Sequence, residues 1–233
     1  LVLTDHAEAM GLAPMVREAN PVLLASKRGR EVWEAFNAGG EQAMKAFGGL
    51  LADVSAGVDP FADIDMAGSI WPEFVKLADT YNQPGVFTAM TGFEWTSQPN
   101  GNNLHRIVVL ADGADKTSVV QPFSMFDSQD PAKLWDYMER YEASTGGRVF
   151  AHVHNGNLSN GIAFTAATVD GTPMDAAYAA RRARWEPIME ITQVKGDGET
   201  HPYLSPDDEF ADFERWDVAN LDGSAPKKKE MLR

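Results

Sequence analysis

Val149-Phe150-Ala151-His152-Val153-His154-Asn155-Gly156-Asn157 is a short apolar run that passes straight into a polar turn. Its length and its Asn-Gly-Asn ending predict a buried strand over 149–153. The preceding segment, 131–143, has helical spacing and opens on Asp130-Pro131, an N-cap followed by proline at the first helical position. A helix over 173–185 and a strand over 188–194 are predicted beyond the turn. Upstream, 86–95 and 106–110 are strand-like and flank the Gly/Asn-rich loop Pro99-Asn100-Gly101-Asn102-Asn103. Val2 and Leu3 form the tail of another buried strand. Between these lie helical patterns over 14–52, broken at Gly39-Gly40, and over 70–81, ended by Asn82-Gln83-Pro84-Gly85. Strands alternate with helices, which predicts an α/β layout with parallel strands. Trp33, Phe47, Trp71, Trp135 and Met138 fall at helical spacing and are assigned to the core.

Composition narrows the function. The chain has 233 residues, 44% of them hydrophobic and 23% charged, which suits one sizeable folded domain and excludes wholesale disorder. The formal charge is −14, which repels phosphate backbones and argues against nucleic acid as a partner. A small anionic substrate held by a metal remains compatible with it. With no cysteine, disulfides, thiol catalysis, zinc fingers and iron–sulfur clusters are excluded, and the compartment stays open. No apolar run of about 18 residues is present, so no membrane-spanning helix is expected. There is also no phosphate-binding glycine loop, dinucleotide fingerprint or serine elbow.

The five histidines carry the chemical signal. His6 follows Asp5 at a strand end, a pattern that suits a metal ligand with a carboxylate orienting it, or simply a helix cap. Glu94 closes the apolar run Thr88–Thr96, where a carboxylate is costly to bury unless it is paired or bound to metal. The other reading is an exposed strand exit. His105-Arg106 suits a site for metal and phosphate, because guanidinium binds phosphate through paired hydrogen bonds; a strand-edge histidine beside an acid is the plainer alternative. In His152-Val153-His154 both rings reach one pocket if the strand persists, and His154 alone if the chain turns at Val153. Asn155, Glu190, Lys195 and His201 are secondary candidates: two for support, Lys195 for an anion and His201 for proton transfer. Ordinary turns would account for the stretch holding the last three.

In order, the motifs are Thr-Asp-His, Gly-Phe-Glu-Trp-Thr, Asn-Asn-Leu-His-Arg and His-Asn-Gly-Asn-Leu-Ser-Asn-Gly. This order resembles the PHP (polymerase and histidinol phosphatase) metallohydrolase superfamily. More closely it resembles the domain-of-unknown-function 3604 family, which the stretch from Pro173 through Arg181-Arg182-Ala183-Arg184 to Ala211 also resembles. The resemblance implies a distorted (β/α)7 barrel with two or three divalent ions, zinc, manganese or iron, at the C-terminal strand ends. It implies His6, Glu94, His105 and His154 as metal ligands, with His152 an extra histidine. The superfamily's opening His-x-His and closing Asp-x-His motifs have no match, so the chain is expected to be a fragment with an incomplete barrel. Residues 1–222 would form the partial domain with a helical insertion around 14–82, and 223–233 a polar tail or truncated continuation; Lys227-Lys228-Lys229 falls in that solvated tail. Export of the full-length protein is a further implication.

The expected function is metal-dependent hydrolysis of a phosphoester or similar anionic ester. Arg106 would neutralise substrate oxygens and Asp5 would orient an imidazole. A non-catalytic binding module, or a metal hydrolase for amides or sugars, are the alternatives. Neither the substrate nor the oligomeric state is legible.

Overall fold

The computed structural model describes residues 1–213, 215–216 and 218–226; the lysine run at 227–229 lies outside them. The strands are β1 (Val2–Leu3), β2 (Met90–Trp95), β3 (Arg106–Leu110), β4 (Val149–Val153), β5 (Ile188–Met189), β6 (Thr192–Gln193) and β7 (Gly196–Asp197). The α-helices are α1 (Leu12–Arg17), α2 (Pro21–Ala25), α3 (Lys27–Ala38), α4 (Gly40–Ser55), α5 (Met66–Tyr81), α6 (Ala114–Thr117), α7 (Pro131–Thr145) and α8 (Ala176–Trp185).

Strands β1 to β5 form one sheet in sequence order. The outer pairs β1–β2 and β4–β5 are parallel, and β2–β3 and β3–β4 are antiparallel. Among the described residues this is an open mixed sheet beside a two-stranded β6–β7 ribbon, which overturns the expected (β/α)7 barrel of parallel strands. The reason is local. The connection 96–105 is shorter than the roughly dozen residues that a parallel crossover takes, so β2 and β3 can pair only antiparallel.

One sheet face is covered. Phe93, Trp95, Val108, Leu110, Val149 and Ala151 project onto it and pack with Trp71 and Val75 of α5, Trp135 and Met138 of α7, and Trp185 of α8. Helix α7 starts where the Asp-Pro pair predicts, with Asp130 Oδ1 accepting the Ala132 N–H at 2.9 Å. Helices α1 to α4 bury Met15, Leu23, Val32 and Leu50 in a second cluster that reaches α5 through Met66. Gly92 lets the sheet close: a Cβ there would sit 2.4 Å from Val108 O and 2.9 Å from Val2 Cγ1.

Three local expectations are corrected. The strand expected from residue 86 begins at Met90, because Pro84-Gly85 folds 83–87 into a tight turn and leaves Val86 and Phe87 in solvent. The strand expected over 188–194 breaks after Met189, and Thr192–Gln193 pairs instead across the Val194-Lys195 turn with Gly196–Asp197. Phe47, assigned to the core, is 47% exposed beside Met44 and Leu51, because α4 buries Leu50 instead.

Candidate functional site

Strand parity assembles the site. His6 bridges to Glu94, extending the parallel β1–β2 pairing, and Ala7 N–H donates to Glu94 O at 2.8 Å. Glu94 is opposite Ile107, and Trp95 is opposite Arg106. One residue before β3 comes His105, whose carbonyl accepts the His154 N–H at 3.2 Å. Glu190 N–H then bonds Val153 O beyond β5. His6, Glu94, His105, His154 and Glu190 therefore lie at one end of the sheet, on the face opposite the helical core. Strands β1, β2, β4 and β5 end there and β3 begins there.

Glu94 is the hub. His105 Nδ1–H donates to its Oε1 at 2.7 Å, His154 Nε2 lies 3.6 Å from the same oxygen, and His6 Nδ1 lies 3.6 Å from Oε2. Glu94 is 7% exposed and His105 4%, whereas the His6 side chain is 55% exposed. Burial opposes ionisation of Glu94, but the His105 hydrogen bond and the three imidazoles outweigh it and hold its carboxyl below the usual range. Burial pushes His105 down against the pull of Glu94, so its ring stays neutral near pH 7.

The rings are oriented from behind. Asn155 Nδ2 donates to His154 Nε2 at 2.9 Å, which puts the ring proton on Nδ1, where it donates to Glu190. His6 Nδ1 shares a 2.7 Å hydrogen bond with Thr96 Oγ1. Asn103 Oδ1 accepts the His105 N–H at 2.8 Å. Asn155 itself is buried in the left-handed region at φ 52°, a conformation Asn tolerates better than most residues.

The other candidates lie apart. Asp5 is exposed, and its backbone carbonyl, not its carboxylate, takes part by accepting the Glu94 N–H. His152 is half-buried two strands from Glu94, with Nδ1 directed at Val153 O; the chain leaves β4 after Val153, so His154 alone reaches the hub. Arg106 points to the opposite face, where its buried guanidinium donates to Glu186 and to Leu104 O. Lys195 is exposed on the β6–β7 turn. His201 lines a different cavity of about 300 Å³ with Asn157, Phe164 and Met189.

Sequence reasoning missed Glu8, Thr96 and Asn103. Glu8 is buried, and burial raises its carboxyl above the usual range. Its Oε1 accepts N–H groups from Met125 at 2.6 Å and Thr96 at 3.4 Å, while Oε2 is buried without a partner. The available signal was a lone acid among Ala7, Ala9 and Met10, two residues beyond His6.

Among the described residues no group of three or more His, Asp or Glu side chains stands arranged to hold a metal ion. The donor chemistry nevertheless fits one. His105 Nε2 is buried without a partner, and the remaining nitrogen of a neutral ring donating through Nδ1 is a lone pair. His154 has a carboxylate behind its Nδ1–H, as metal-binding histidines do, but its Nε2, 3.6 Å from Glu94 Oε1, accepts the Asn155 amide N–H, which an ion would have to displace.

Fold and site together define a mixed α/β protein with a histidine–glutamate cluster at one end of an open sheet. The chain belongs to the family described as protein of unknown function (DUF3604), whose model matches residues 1–233. The match bears on that family and carries no link to the PHP superfamily. No curated protein matches the chain, and no solved structure does. No described helix is long and apolar enough to cross a membrane.

Proposed function

We propose that this chain carries the metal centre of a hydrolase acting on a phosphoester or similar anionic ester. The observation that supports this most is three imidazoles gathered on one buried carboxylate, with His105 Nε2 buried and without a partner. His6, Glu94, His105 and His154 would hold the divalent ions, and the PHP-like order of the motifs supports the same set. Mixed imidazole and carboxylate donors suit zinc, manganese or iron. Such ions supply a water of lowered pKa and polarise the ester oxygen. Glu190 and Asn155 fix the tautomer of His154, Thr96 steadies His6, and Asn103 holds the backbone at His105.

Elemental analysis of protein purified without chelators tests this, beside His154→Ala and Glu94→Gln. One or more equivalents of zinc, manganese or iron, lowered in both variants, together with metal-dependent turnover in a phosphoester panel, is the expected result. A metal-free protein with unchanged variants would refute it. One observation favours the second reading, a non-catalytic binding module: Glu94 Oε1 is already engaged by His105.

A further inference from the structure

A second cavity, of about 270 Å³, lies between α8, the start of β3 and the loops around 99–104 and 162–171. It opens on the sheet face that carries Arg106, opposite the histidine cluster. Its walls are mixed, with Leu104, Trp135, Ile162 and Tyr178 among the apolar side chains and Asn and Thr side chains beside them. The polar residues include two arginines. Arg106 is 2% exposed and Arg182 23%. Both bind the same carboxylate: Arg106 Nε donates to Glu186 Oε1 at 3.1 Å, and Arg182 Nε lies 3.3 Å from Oε2.

Two guanidiniums therefore share one carboxylate, which leaves one positive charge in excess beside the cavity. None of the residues lining the cavity is acidic. Trp135 Nε1–H adds a further donor to Glu186 at 3.0 Å, so that carboxylate is saturated and cannot serve the second arginine better. Arg182 Nη2 donates to Ala163 O at 2.6 Å, and its Nη1 has no acceptor among the described residues. A guanidinium in excess beside apolar side chains calls for an anion with an apolar body. The volume is below the roughly 300 Å³ at which ordinary small-molecule pockets begin, so the occupant is small.

We propose that this cavity binds a small organic carboxylate. The anionic head pairs with Arg182 over the Arg106–Glu186 ion pair, and the apolar body lies against Leu104, Ile162 and Trp135. The site is independent of any metal at the histidine cluster.

The test is calorimetric titration of the full chain, after chelation so that the histidine cluster holds no ion, with benzoate, with benzyl alcohol as the uncharged counterpart and inorganic phosphate as an anion without an apolar body. Saturable binding of one benzoate per chain at millimolar concentration is expected, with both controls weaker by about tenfold or more. Arg182→Gln should weaken benzoate by a similar factor. Ala167→Leu, which fills the cavity without touching its charge, should do the same and keeps the test valid if Arg182→Gln unfolds. His154→Ala should leave benzoate binding unchanged, which separates this site from the metal centre. Binding that survives both cavity variants, or phosphate binding as tightly as benzoate, would overturn the proposal. So would the absence of any carboxylate binding.

Discussion

Glu186→Gln should be among the most damaging conservative changes in the chain. Arg106 and Glu186 side chains are each 2% exposed, and Glu186 Oε1 also takes the Trp135 indole N–H. Burial opposes the charge on Glu186, but Arg106 and Arg182 outweigh it and keep its carboxyl below the usual range. Removing the negative charge leaves a fully buried guanidinium without its counter-ion. Breaking a buried pair in this way costs about 3–5 kcal/mol, a large share of the roughly 5–15 kcal/mol that holds a domain together. For a chain of this size that is a drop in Tm on the order of 10 °C. Urea unfolding followed by tryptophan fluorescence at pH 7 measures it, with Trp135 reporting on the site itself. The paired variant Arg106→Met/Glu186→Leu removes the buried ion pair and should recover part of the loss, though not all, because Arg182 and the Trp135 N–H still lose their acceptor. The sign with pH is fixed: a depressed carboxyl stabilises above its unfolded pKa of about 4.3 and loses that contribution as pH falls through the folded value. The gap between wild type and Glu186→Gln should therefore narrow in acid. A loss under about 1 kcal/mol, or a double variant as unstable as the single one, would refute the reasoning.

Gly92→Ala should destabilise by about 1–3 kcal/mol and broaden sheet amide signals in NMR, because the new Cβ meets Val108 O at 2.4 Å. Asp112 accepts hydrogen bonds from Arg148 N–H at 2.6 Å, Lys116 Nζ at 3.0 Å and Tyr141 OH at 3.0 Å, and these overcome partial burial to hold its carboxyl low. Asp112→Asn should cost about 1–2 kcal/mol in urea unfolding at pH 7, and the difference should fade as pH drops below about 4. On the proposed metal site, Glu190→Leu should lower metal affinity about 10–100-fold in a competition assay by freeing the His154 ring, with Glu190→Gln restoring most of it because an acceptor remains for Nδ1–H.

The parts of this fold that sequence pattern predicted are those where one local signal dominates. The Asp130-Pro131 cap sets the start of α7, and 106–110 forms a strand over its full predicted length. Strand direction was missed although the information was present: the spacing between Trp95 and Arg106 already forbids a parallel crossover. Other misses depend on tertiary context. The exposure of Phe47 follows from which stripe of α4 meets the second cluster, and both stripes are apolar enough to serve. Glu8 has no motif of its own; it becomes a site neighbour only because the backbone N–H groups of Thr96 and Met125 come to it from distant segments.

The His105-Arg106 pair shows what motif reading leaves out. Adjacent residues entering a strand face opposite ways, so one dipeptide cannot supply both a ligand and a phosphate-binding arginine to the same pocket. Arg106 went to Glu186, and the ion pairs of Glu94 among the described residues are all with imidazoles. With His105 neutral near pH 7, Glu94 ionised and His6 largely in solvent, the cluster by itself has little positive charge to draw an anion. If the proposed hydrolase reading is right, anion capture there depends on bound divalent ions. Inorganic phosphate should then bind the metal-loaded protein and lose about tenfold or more in affinity after chelation. Calorimetry in an Arg182→Gln background, which silences the second cavity, isolates this effect. Phosphate binding that is indifferent to chelation would mean that the cluster draws anions through its own imidazoles, and the division of labour between the two sheet faces would have to be abandoned.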